Sequence, residues 1–142
     1  MKAEQIFSIA NMLALLSWLI LLVAPRWKWT NKIILSGVIP LILSVAYLGL
    51  IVLFFGKADG GFDSLPNVMK LFTNEWAVLA GWIHYLAFDL FVGSWEVKDS
   101  QAKGISHWFV IPCLFFTFMF GPIGFLMYSV LRFFLGKEAK ND

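Results

Sequence analysis

Four long apolar runs, separated by short polar turns, constrain this chain more than any other feature of its sequence. They are Ile6–Ala24, Ile33–Phe55, Trp76–Val97 and His107–Leu135. A helix of about 20 residues, rising 1.5 Å per residue, crosses a hydrocarbon core of roughly 30 Å. Hydrophobic residues make up 60% of the chain and charged residues 14%, and the mean hydropathy is +0.78. A soluble domain of this length lacks the interior to hide so much apolar side chain. The expected fold is an all-α integral membrane protein, with residues 1–142 forming a single membrane domain. Its architecture is expected to be a four-transmembrane-helix bundle with short loops, the helices lying near 5–24, 32–55, 76–97 and 107–135.

The first run is too long for the apolar core of a signal peptide, and Pro25-Arg26-Trp27, not a small-residue cleavage site, follows it. It is read as a retained span. Trp27 and Trp29 suit the headgroup level, with Arg26, Lys28 and Lys32 on the water side. Pro40 should kink the second helix. Within 56–75, Ser64-Leu65-Pro66 can open a short helix whose apolar residues rest on the bilayer surface or cover a site. Pro112 and Gly121-Pro122 should break or bend the fourth helix, and 136–142 is a charged tail. Four spans would put both termini on one side. Lysines and arginines then divide almost evenly between the two sides, so the positive-inside rule does not fix the orientation. The density of charge in the two short turns leans toward both being cytoplasmic.

Residues with chemical capacity inside apolar segments concentrate in 81–128. Asp89, within LAFDLFVG, is the most demanding: a charge near the centre of a span costs at least a few kcal/mol unless it is paired or neutral. Such groups face the bundle interior or a wet cavity, so Asp89 should point inward. At about 100° per residue, Tyr85, Asp89 and Glu96 fall within about 40° of one another, while His84 lies roughly 100–140° away. On the fourth helix His107, Thr117, Gly121, Gly124, Tyr128 and Arg132 share an arc of about 100°. Asn11 is the only amide well inside a span. These stripes predict a polar patch inside the bundle.

A carboxyl kept neutral by apolar surroundings is a proton donor, and an imidazole is a base at neutral pH. The candidate catalytic residues are therefore Asp89, His84 and His107. Asn11, Tyr85, Glu96, Thr117, Tyr128 and Arg132 are candidate substrate-binding residues. Each also has a plainer reading. Asp89 can bond across the bundle to Asn11 or a hydroxyl, the histidines can mark interfaces, and Glu96 can pair with Lys98. His84, Asp89 and His107 are ligand types for zinc or iron, but their spacing is no metal motif. No cofactor is expected, with a metal at these residues as the lesser reading. Cys113, the single cysteine, permits no intrachain disulfide and reads as a small core residue. A net charge of +2 leaves no nucleic-acid footprint.

The pattern H-x4-D in HYLAFDLFVGSW, followed by H-W-x3-P-C and G-P-x-G-x-x-x-Y in GISHWFVIPCLFFTFMFGPIGFLMYSVLR, resembles the abscisic-acid-deficient-four-like family. The Asn11 region, the exit at Pro25-Arg26-Trp27 and the four-span layout are similar too. The matching positions are His84, Asp89, His107, Pro112, Gly121, Pro122, Gly124 and Tyr128. The family's plant members are plastid membrane proteins implicated in making neoxanthin from violaxanthin. The resemblance implies carotenoid chemistry in the bilayer: an epoxide-to-allene isomerisation with Asp89 as acid and His84 or His107 as base. With no transit peptide before the first helix, the chain looks like a short bacterial member, a multi-pass protein of the inner membrane. The implied partners are the lipid bilayer and a carotenoid or other isoprenoid ligand, and a homo-oligomer is compatible with the sequence. A non-catalytic lipid-binding scaffold and a small transporter or proton-relay protein are the competing readings.

Overall fold

A computed structural model of the chain describes residues 1–137; the expected charged tail lies outside the described residues from position 138 onward. Among the described residues the regular structure is all helical, without strands. In order come α1 (Ala3–Val23), a π-helical turn (Thr30–Ile34), α2 (Val38–Phe54), α3 (Leu65–Leu71), α4 (Glu75–Ala102), α5 (His107–Phe120) and α6 (Pro122–Leu135). Among the described residues three stretches are long and apolar enough to cross a membrane: Ala3–Val23, Thr30–Phe54 and Glu75–Ala102.

α4 is the central element, packed against α1, α2 and α5. It runs parallel to α1. Trp82 Nε1 donates to Asn11 Oδ1 (2.9 Å), Trp18 lies over Gly93, and Gln101 Nε2 donates to Pro25 O (3.1 Å), so contacts ascend both helices together. α2 runs the opposite way, with Phe54 stacked on Trp76 (centroids 4.1 Å apart) and Tyr47 edge-on to His84 (5.5 Å). Asn74 starts α4, its Oδ1 accepting from the amides of Trp76 and Ala77 (3.0 and 3.2 Å), the usual way an N-cap satisfies free donors. The helix continues past Val97, where the sequence suggested a turn. Ser100 Oγ donates to Val97 O (2.8 Å), and Tyr128 Oη and Arg132 Nε both donate to Asp99 Oδ2 (2.7 Å each).

The expected kink at Pro40 is absent. Pro40 sits in the first turn of α2, where its missing donor leaves nothing unsatisfied, and the break falls instead at Gly37 (φ 86°), directly after the π-helical turn. α3 forms where expected, capped by Ser64, whose Oγ accepts from Asn67 N (3.4 Å). Leu65 and Met69 face outward from it, while Leu71 and Phe72 help enclose a cavity of about 480 Å³.

The larger correction concerns 107–135. The break expected at Gly121-Pro122 is present, but it does more than interrupt one span: it leaves two helices folded back on each other at Gly121. Gly121 takes φ 44°, ψ −91°, ending α5 and starting α6, a conformation available to a residue without a Cβ. Gly124 then passes so close to Thr117 and Cys113 that a side chain there would overlap the Thr117 backbone. By its end α6 is back beside the start of α5, where Lys137 N donates to Lys103 O (3.3 Å). Each helix has 14 residues and so spans about 21 Å, short of the roughly 30 Å core. Non-helical backbone at such depth is tolerated where protein surrounds it; Gly121 is buried.

Candidate functional site

The tip of the α5–α6 hairpin meets α4 near its midpoint, at Asp89. A Cβ on Gly121 would stand 2.9 Å from Asp89 Oδ1. Asp89 Oδ2 is buried and has no hydrogen-bond partner. The Tyr85 hydroxyl lies beside this carboxyl and donates to Phe118 O (2.7 Å), tying the end of α5 to α4. Gly121, the residue at this approach, is also the N-cap of α6.

Nearly two turns along, Glu96 is 0% exposed and accepts from Thr117 Oγ1, itself 0% exposed, at 2.9 Å. Its Oε2 is buried without a partner, as is Ser94 Oγ. One turn further, Asp99 joins Tyr128 and Arg132, and Arg132 lies over the Trp95 ring (5.8 Å). A seam of polar groups thus runs from the middle of α4 to its C-terminal end, walled by the hairpin.

The structure brings together Tyr85, Asp89, Glu96, Thr117, Tyr128 and Arg132 along this seam. It does not bring the imidazoles there. His84 faces α2, edge-on to Tyr47 and stacked on Phe88 (4.8 Å). His107 Nε2 donates to Leu22 O (2.9 Å), fastening the start of α5 to the end of α1. The pairing of Asp89 with a histidine therefore fails, because α4 stays regular and keeps His84 on another face. Asn11 is likewise occupied elsewhere, accepting from Trp82 and donating to Phe7 O (2.9 Å). Glu96 is not paired with Lys98 at the water line but sealed against Thr117. The sequence reading missed Asp99, whose partners come from a helix that returns unexpectedly, and Ser94, a small residue without distinguishing context. Among the described residues no three His, Cys, Asp or Glu side chains are grouped to hold a metal ion.

Fold and seam together define a helical membrane protein with ionisable side chains enclosed between a central helix and a folded-back hairpin. The chain belongs to the ABA DEFICIENT 4-like family, whose sequence profile matches residues 5–128. It is similar to Protein ABA DEFICIENT 4, chloroplastic, of Arabidopsis thaliana, with 24% identity over 147 aligned residues. The alignment covers 97% of this chain and 65% of the relative, so the chain spans just under two thirds of that protein's length. No solved structure matches it.

Proposed function

We propose that this protein is an intramembrane acid–base isomerase acting on a carotenoid or another isoprenoid lipid, with Asp89 as the reacting acid. The observation that carries this reading is the buried, unpartnered Oδ2 of Asp89 at the hairpin tip. With the imidazoles elsewhere, one carboxyl serves both roles. In its acid form Asp89 gives its proton to an epoxide oxygen as the C–O bond breaks. Its other oxygen takes a proton from the neighbouring polyene carbon as that C–H bond breaks, leaving an allenic alcohol. Atoms and electrons balance without a redox partner. The Tyr85 hydroxyl, its hydrogen committed to Phe118 O, keeps an oxygen lone pair that can accept from the acid form of Asp89, and Glu96 lies next along the seam. Phe120 and Pro122, exposed at the hairpin tip, mark the side from which a bilayer-dissolved substrate enters.

We further propose three full crossings and one re-entrant hairpin in place of four spans. Arg26, Lys28 and Lys32 then share a side with Lys98 and Lys103 at the end of α4, and with Arg132 and Lys137 at the end of α6. Lys2, Lys57 and Lys70 lie opposite. With the charges so divided, the positive-inside rule favours one orientation: the α1–α2 turn faces the compartment of synthesis. The named relative is a chloroplast protein, so a plastid membrane stands beside the bacterial inner membrane as a proposed location.

One observation favours a second reading, a non-catalytic lipid-binding scaffold. The cavity beneath α3 is lined by Phe54, Phe72, Trp76 and His84 but does not include Asp89. Expression in a host that makes several epoxy-carotenoids separates the two. The isomerase yields a new pigment by chromatography, and Asp89→Asn abolishes it at equal protein level. Retention of pigment by the purified protein with no new product supports the scaffold and overturns the isomerase.

A further inference from the structure

Away from the Asp89 seam, a groove of about 430 Å³ separates the second half of α1 from the π-helical turn and the start of α2. Leu13, Leu16 and Ile20 form one wall, Ile33 and Ile39 the other. Its two hydroxyls are already committed: Ser17 Oγ donates to Leu13 O (2.8 Å) and Thr30 Oγ1 to Ala24 O (2.7 Å). The walls along α1 and α2 therefore offer hydrocarbon, and the indole N–H groups of Trp27 and Trp29 lie at the mouth. From Leu13 to Ile20 the groove follows α1 for about 10 Å, from the bilayer interior toward Trp27 and Trp29 at its mouth. That is the run of a lipid acyl chain.

The mouth is cationic. Arg26, Lys28 and Lys32 are exposed, and among the described residues none forms an ion pair. Lys28 and Lys32 converge on the same ring, with their Nζ atoms 5.7 and 5.5 Å from the centroid of Trp29. No acidic residue lies between Gln5 and Lys57. We propose that this groove binds one anionic glycerophospholipid, an acyl chain between α1 and α2 and the phosphate at Lys28 and Lys32. A neutral isoprenoid would leave the cations unused, and free phosphate would leave the groove empty.

The test is native mass spectrometry of the full-length protein in detergent, offered equal amounts of phosphatidylglycerol and phosphatidylcholine. The expected result is one retained phosphatidylglycerol, favoured about tenfold, since each basic residue near an anionic headgroup contributes several-fold. The triple variant R26Q/K28Q/K32Q should bind both lipids equally. Leu16→Trp and Ile33→Trp, on the exposed rim, fill the groove without touching the charges and should lose the adduct. Each is read only if the protein stays monodisperse by gel filtration, and a variant that does not is replaced by the other. Equal retention of the two lipids by wild type overturns the site. A preference that survives groove filling also overturns it, since it would show diffuse attraction to surface charge.

Discussion

Gly121 turns the chain directly against Asp89: a methyl group in place of its hydrogen would stand 2.9 Å from Oδ1. This approach sets where α5 stops, where α6 begins and how deep the hairpin reaches along α4. It also places a backbone turn and a carboxyl, both costly in hydrocarbon, where each shields the other from lipid.

Gly121→Ala should therefore harm the protein twice. A residue with a Cβ at φ 44°, ψ −91° lies outside the regions open to L-residues and costs about 1–3 kcal/mol, and the methyl group displaces Asp89. Gly104→Ala is the control: its φ is +66° but nothing lies within 4 Å of the added carbon. Thermal unfolding in detergent should show a clearly lower midpoint for Gly121→Ala than for Gly104→Ala. Equal midpoints would show that the contact with Asp89 contributes nothing.

Thr117→Val removes the donor to Glu96 at nearly constant shape. With its other oxygen already unpartnered, Glu96 is left without any hydrogen bond, at a cost of about 1–3 kcal/mol. The midpoint should fall, and Thr117→Ser should recover most of the loss. Unchanged unfolding in Thr117→Val would mean that Glu96 is satisfied by another group.

Asp89→Asn and the histidine variants should part company in pigment conversion. Loss of a general acid commonly lowers rates by about 100-fold or more, which is the fall expected for Asp89→Asn. His84→Gln should stay close to wild type, because that ring packs against Tyr47 and Phe88. His107→Gln should stay close too, since an amide can still donate toward Leu22 O. A collapse of conversion in His84→Gln with Asp89→Asn active would move the chemistry to the α2 side.

Much of this arrangement is legible in the order of the residues. The apolar runs mark the helices, and the cost of a charge in mid-span points Asp89 inward. Simple helical periodicity puts Tyr85, Asp89 and Glu96 on one face and His84 on another, as observed. The same periodicity marks Thr117, Gly121, Gly124 and Tyr128 as one face of a continuous helix. All are buried, though the helix is broken between them, because the hairpin turns its small residues toward its own partner. The break itself leaves a trace: at 1.5 Å per residue 107–135 would extend over roughly 40 Å, more than one crossing needs. What no local pattern can supply is the return of α6 to Asp99, a contact between residues far apart in the chain. The sealing of Glu96 comes from Thr117 on α5, again a partner on another helix, which is why its position near the end of a span suggests the water line instead.

The direction of the last helix decides whether this site exists. Reporter fusions before Met1 and after Lys137, read for the side of the membrane they occupy, test it most directly, with Phe120→Cys probed by a membrane-impermeant maleimide. Three crossings and a re-entrant hairpin predict reporters on opposite sides and a cysteine at position 120 that is unreactive from either side. Reporters on the same side would make α5 and α6 a fourth crossing, pull Gly121 away from Asp89 and leave the proposed chemistry without its enclosure.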